Sequence, residues 1–290
     1  MSQFPSPRGL PAGIDVGKRM AMEAVRETFA IGRPVGEVWR AWTDPRWLTG
    51  WHAERIDGEV AAGQTVRLNW DSLGISIDLE VVALDAPARL VLRGTPPGRP
   101  PQTLTVELAR GDQAGATRLA IHHDGFAAGA AGDEERAGTA AGWHTSARVL
   151  DHYLAHHAGC ARVSAAALAP VAAAVGDIGP RFARPAWLAG EIALGAEASP
   201  FTFRLDGGRA LSGTVLASAL PRQIALAIDD TAGVLVLRAI QLDSRAALVG
   251  ALTWSWQPER SAHADLVAAL EPAIGRLVAS LAGPAAGGAA

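Results

Sequence analysis

Residues 30–51 read Ala30-Ile31-Gly32-Arg33-Pro34-Val35-Gly36-Glu37-Val38-Trp39-Arg40-Ala41-Trp42-Thr43-Asp44-Pro45-Arg46-Trp47-Leu48-Thr49-Gly50-Trp51, and the architecture of the chain can be worked out from them. The preceding residues, Glu23 to Ile31, alternate in strand fashion, with Val25, Glu27, Phe29 and Ile31 on one face. Pro34 stands where a helix can start, because its missing N–H is not needed there. Val35, Val38, Trp39 and Trp42 follow at helical spacing, and Asp44-Pro45 stops that helix. A second short turn, Arg46 to Gly50, carries Trp47 and Leu48, and Trp51 follows directly.

Working outward, the texture changes to short alternating runs separated by turn residues: Thr65–Trp70, Ile75–Val82, Ala88–Arg93, Leu104–Leu108 and Arg118–His123. Runs of this kind at regular spacing predict an antiparallel meander of about six strands. After Gly132 a helix is expected to about His157, with the apolar stripe Trp143, Ala147, Leu150, Leu154 and with Ser146 and Tyr153 alongside. Such a helix needs a curved sheet to lie against, and the sheet needs it to cover one face.

The second half repeats this order more weakly. Ala165 to Val175 reads as an alanine-rich helix, leaving only Cys160 to Ser164 for a first strand. Pro185-Ala186-Trp187-Leu188-Ala189-Gly190 echoes Pro45-Arg46-Trp47-Leu48-Thr49-Gly50. Strands are expected at Phe201–Leu205, Ala210–Leu220, Gln223–Ile228, Val234–Leu242 and Ala247–Trp256, then a helix over Ala262–Leu281. The expected organisation is a flexible arm (1–20), a first domain (21–158), a degenerate second domain (159–283) and a low-complexity tail (284–290).

The 290 residues are 49% hydrophobic and 19% charged, enough to bury a sizeable core, although much of the apolar content is alanine. A net charge of −3 gives no basic footprint for nucleic acid. The single cysteine, Cys160, excludes a disulfide within the chain and fits a reducing compartment. The opening residues carry prolines and charges without an apolar stretch, so no secretory signal is expected. No apolar run reaches the length of a membrane span. The expectation is a cytoplasmic protein without a membrane span.

The Val-Trp helix, the Thr43-Asp44-Pro45 stop, Trp51 and the later Gly142-Trp143 resemble the START-like (SRPBCC) superfamily. Within it they are closest to the family of the activator of heat-shock protein 90 ATPase homologue, C-terminal-domain-like. The resemblance covers residues 22–157 well, and 160–282 only by order of elements. It implies an α+β helix-grip (START-like, Bet v-like) fold, a curved antiparallel sheet gripping a long C-terminal helix, here duplicated. It says little of chemistry, since the superfamily includes hydrophobic-ligand carriers, polyketide cyclases and co-chaperone domains.

Six of the nine tryptophans, Trp39, Trp42, Trp47, Trp51, Trp70 and Trp143, fall in the first half. Aromatic residues suit either a core or an apolar ligand cavity. The fold implied by the resemblance sets Trp51, Trp70 and Trp143 towards the cavity, and Tyr153 joins them as ligand surface. His123 shares a face with Leu119 and Ile121, so it is expected to point inward as an orienting polar group. His152 and His156 have zinc-compatible spacing but no third ligand, so a solvated helix face is expected and no metal. Asp78 reads as an outward polar residue, and no cofactor motif or catalytic group stands out. Function is therefore expected to be binding of a hydrophobic small molecule, in the first domain only. The alternatives are a co-chaperone-like interaction protein with a protein partner, or a cyclase/aromatase-type enzyme using His123.

Overall fold

The computed structural model describes residues 24–96, 98–182, 196–204, 210–229, 233–243 and 245–256, with Pro272 and Arg276. The arm expected over 1–20, the Pro185–Gly190 echo and the tail lie outside the described residues, as does the expected terminal helix apart from Pro272 and Arg276.

After strand β1 (Val25–Ile31), Pro34 precedes helix α1 (Val35–Thr43) and Pro45 opens helix α2 (Pro45–Trp51). Asp44 is the hinge between them. Its carboxylate accepts from the Arg46 amide at 2.9 Å, capping α2 in the way a short acidic side chain caps any helix start. The expected second turn is thus a full short helix. Strands β2 (Arg55–Asp57), β3 (Thr65–Trp70), β4 (Ile75–Asp85), β5 (Arg89–Gly94), β6 (Gln102–Arg110) and β7 (Thr117–Asp124) follow, and then helix α3 (Ala130–His156). They form a seven-stranded antiparallel sheet in the order β1-β7-β6-β5-β4-β3-β2. Three-residue β2 was too short to leave a periodic signal. Inward residues alternate with outward ones along β3 and β6, as a sheet with one covered face requires. This is the helix-grip-like α+β fold expected from the sequence.

One segment of the second half differs from its sequence reading. Residues 165–171, read as helix, belong to strand β8 (Val163–Val171), and helix α4 (Val175–Phe182) comes only after it. Alanine favours helix on its own, but β8 is fixed by pairing with the last strand. Gly250 of that strand permits a close approach: a Cβ added there would lie 2.4 Å from the Ala167 carbonyl oxygen. Strands β9 (Pro200–Arg204), β10 (Ala210–Ala219), β11 (Gln223–Ile228), β12 (Gly233–Asp243) and β13 (Ala246–Ser255) complete a six-stranded sheet. Its order is β8-β13-β12-β11-β10-β9, again pairing the first strand with the last.

Helix α3 lies between the two sheets. It packs against β1 of the first and against β10, β11 and β12 of the second. The expected stripe of Trp143, Ala147, Leu150 and Leu154 is buried. Thr145 and Val149 are buried as well, on the opposite side of the helix. One continuous core joins α3 and the first sheet to Ala217, Ala225, Val234, Val236, Leu252 and Trp256 of the second. The other face of the second sheet forms its own core with Val175 and Ile178 of α4. Both faces of that sheet are thus apolar. Polar ties reinforce the junction: Arg222 grips the Glu134 carboxylate with two bonds, 2.5 and 2.8 Å, and Trp256 Nε1 donates to the Gly50 carbonyl at 2.8 Å.

Candidate functional site

A cavity of about 1120 Å³ opens between the first sheet and the N-terminal half of α3. Such a volume is at the upper end of that expected for a small-molecule site. Its apolar wall includes Val66, Leu68, Leu79, Leu92 and Leu104, inward residues of β3 to β6. On the helix side Gly138 and Gly142 line it, and a Cβ added at either would meet nothing within 4 Å. Glycine in a helix interior costs about 1 kcal/mol relative to alanine. Here it leaves open space where side chains would otherwise project.

Trp70, His123 and Trp143, expected at the ligand surface, all line this cavity. Trp143 Nε1 donates to His123 Nδ1 at 3.2 Å, so the His123 proton sits on Nε2. Phe126 also packs against the imidazole, with ring centroids 5.2 Å apart. Burial holds the His123 pKa down at about 4 against the opposing pull of Asp124 and Glu135.

Trp51 and Tyr153, also expected there, are not in the cavity wall. Trp51 is 1% exposed, and its Nε1 donates to the Ala41 carbonyl at 2.9 Å, tying α2 to α1. Its helical position turns it inward between the two helices. Tyr153 is fully buried against α2: a Cβ on Gly50 would fall 2.3 Å from its Cζ. Its hydroxyl accepts from the Gly159 amide at 2.8 Å. Tyr153 sits beside the stripe rather than on it, and the second sheet closes over that flank with Trp256, 5.9 Å away between ring centroids.

Two further aromatic side chains of the wall were not among the expected ligand-surface residues. Trp42 lines the cavity from α1, and His52 from the end of α2. His52 stacks on Trp143 at 5.7 Å and 15°, and meets Trp70 edge-on at 5.3 Å. Its carbonyl accepts from Trp70 Nε1 at 3.0 Å. Burial, helped by the nearby Arg162 guanidinium, lowers its pKa to about 4. His52 follows α2 directly, outside any alternating run, so no periodicity assigns it a face.

The second half also reaches the cavity, contrary to the expectation that the first half alone would build it. Arg222, Gln223, Arg238 and Gln241 are part of its wall. Three guanidiniums, Arg99, Arg222 and Arg238, meet two carboxylates there, Glu134 and Glu135. Arg99 pairs with Glu135, and Arg222 with Glu134.

The remaining polar candidates lie elsewhere. His152 is not on a solvated face: its ring lies 5.9 Å from Trp256 and 4.8 Å from His156, and burial lowers its pKa to about 4. Among the described residues no group of His, Cys, Asp and Glu is arranged to hold a metal ion. Asp78 is outward, bonded to Arg67 at 2.6 and 2.7 Å. Cys160 is exposed. Among the described residues no helix is long and apolar enough to cross a membrane.

Residues 33–155 match the family described as activator of Hsp90 ATPase homolog 1-like protein. No curated protein matches the chain. Among solved structures the chain is similar to DynU16, a protein of the dynemicin biosynthetic locus, at 21% identity and a TM-score of 0.42, over 89% of this chain and 99% of that one. It is similar to MLL2253 from Mesorhizobium loti at 22% identity and a TM-score of 0.42, over 46% of this chain and 98% of that one. The Aha1 dimer from Colwellia psychrerythraea matches at 16% identity and a TM-score of 0.40, over 45% and 95%.

Proposed function

We propose that this chain binds a hydrophobic small molecule in the cavity between its first sheet and helix α3. The observation that carries this reading is the cavity itself: about 1120 Å³, its body walled by aliphatic strand residues with Trp42, Trp70 and Trp143, and its charged groups gathered where the second half meets helix α3. His52 and His123 flank Trp143 as neutral imidazoles that orient a ligand by hydrogen bonding. Their low pKa values, about 4, favour this role over acid–base catalysis. A general acid or base at neutral pH works best with a pKa near 7.

An interaction protein is the second reading, favoured by the family match over residues 33–155. Among the described residues the exposed large apolar side chains are Ile75, Val82 and Leu220, and scattered singles are ordinary surface. The cavity reading is therefore preferred. We also read the two sheets as copies of one unit, supported by their shared strand order, and the protein as cytoplasmic, supported by its lone Cys160.

Native mass spectrometry after gentle purification is expected to show a co-purifying mass. The neutral dye N-phenyl-1-naphthylamine is expected to brighten on binding and quench tryptophan emission. Gly142→Leu projects a side chain into the open space. It is expected to raise helix stability by up to about 1 kcal/mol while weakening the dye at least tenfold. Unchanged dye affinity in a folded Gly142→Leu variant, or no dye binding at all, would overturn the proposal.

A further inference from the structure

The cavity wall carries one cation more than it carries anions. Arg99 and Arg222 are matched by Glu135 and Glu134. Arg238 is matched by nothing: among the described residues it makes no ion pair, and its Nε is buried without a hydrogen-bond partner. It stands on β12 between Val236 and Ile240, on the face turned towards α3, and opposite Gln223 in the ladder. A guanidinium cannot escape its burial by losing a proton in the physiological range. Leaving its Nε donor dry is costly, and a stability-driven chain would replace it with an apolar side chain. Burial in fact pulls its pKa below the usual arginine value, with no neighbouring carboxylate pulling it back.

We propose that Arg238 is the anion subsite of this cavity, so that the ligand is an otherwise apolar molecule carrying one oxyanion group, a carboxylate or its like. This rests on the cavity being a ligand site. The apolar body lies against Trp42, Trp70 and Trp143, and the oxyanion takes the free guanidinium donors as a forked pair. The two halves then have distinct parts in one site, the first holding the body and the second the charge.

The test uses two dyes with the same apolar body on the full-length protein. 8-Anilinonaphthalene-1-sulfonate carries one sulfonate, and N-phenyl-1-naphthylamine carries none. The wild type is expected to bind the sulfonate dye more tightly. Arg238→Met is expected to weaken the sulfonate dye by about 10-fold to 150-fold, the range of a hydrogen bond to a charged group. It should leave the neutral dye within about twofold. Arg238→Lys should restore part of the difference. In the absence of dye, Arg238→Met should melt at a higher temperature than the wild type, because an unpaired buried charge is gone. If Arg238→Met weakens both dyes alike, or neither, the anion subsite is refuted while the cavity stands. If neither dye binds the wild type, both fall.

Discussion

Lowering the pH from 7 to 5 should destabilise this protein through His52 and His123. Each has a pKa of about 4 when folded, against 6.5 for the free side chain. A folded pKa below the unfolded one means that the unfolded chain takes up the proton first. Stability is therefore full above pH 6.5, falls as pH drops through the window between 6.5 and 4, and levels off below it. At pH 5 each histidine accounts for about 2 kcal/mol, at 1.36 kcal/mol for each pH step below 6.5. The two together approach about 4 kcal/mol, a large part of an ordinary folding free energy. His152, lowered in the same way, adds in the same direction. The carboxylates of Asp57, Asp78 and Glu197, all held below their usual range, act with the same sign but only near and below pH 4. The interval from pH 6.5 to 5 thus isolates the histidines. Guanidinium denaturation followed by tryptophan fluorescence at half-unit pH steps gives the slope. His123→Phe is expected to lower stability at pH 7 by stranding the Trp143 indole N–H, yet to reduce the loss of stability between pH 6.5 and 5 by about 2 kcal/mol. His52→Phe should reduce it equally. A wild-type stability that is level between pH 7 and 5, or a double variant with the wild-type slope, would refute the assignment of both imidazoles to dry, neutral surroundings.

Two further substitutions probe the packing. Gly50→Ala places a methyl group 2.3 Å from Tyr153 Cζ and should cost about 1–3 kcal/mol in denaturant unfolding, with altered tryptophan emission as α2 shifts off α3. Asp78→Ala removes an exposed ion pair with Arg67 and should leave the denaturation midpoint almost unchanged, any small shift vanishing in salt.

The first half was legible because its elements announce themselves locally. Pro34, Asp44 and Pro45 punctuate two helices whatever lies around them, and β3, β6 and β7 alternate because one face is covered and one is wet. The same alternation put His123 and Leu119 on one face, and the structure has both inward. Local signals failed where a distant partner decides. Trp51 and Trp70 look alike in sequence, yet one closes a helix–helix contact and the other faces empty space. Nothing within a few residues distinguishes them. The alanines of β8 follow helix propensity until β13 pairs with them. His52 gains its place from Trp42, Trp70 and Trp143, side chains brought together from three separate elements.

The second sheet has a physical reason for reading as packing without chemistry. Its strands are apolar on both faces because α3 lies on one and α4 on the other. Periodicity therefore weakens just where burial is doubled. In a lone helix-grip unit the back of the long helix would be wet, and α3 would need only one stripe. Here Thr145 and Val149 are buried behind that stripe, and Glu134 is drawn into a bond with Arg222. The covering sheet thus does more than shield the helix. It turns the rim of the cavity into a junction of two halves, and it sets Arg222, Gln223 and Arg238 where solvent would otherwise be. A polar residue that looks out of place in an apolar strand is then the residue to examine. Arg238, the charged residue within the run Gly233-Val234-Leu235-Val236-Leu237-Arg238-Ala239-Ile240, is such an interruption, and it lines the cavity.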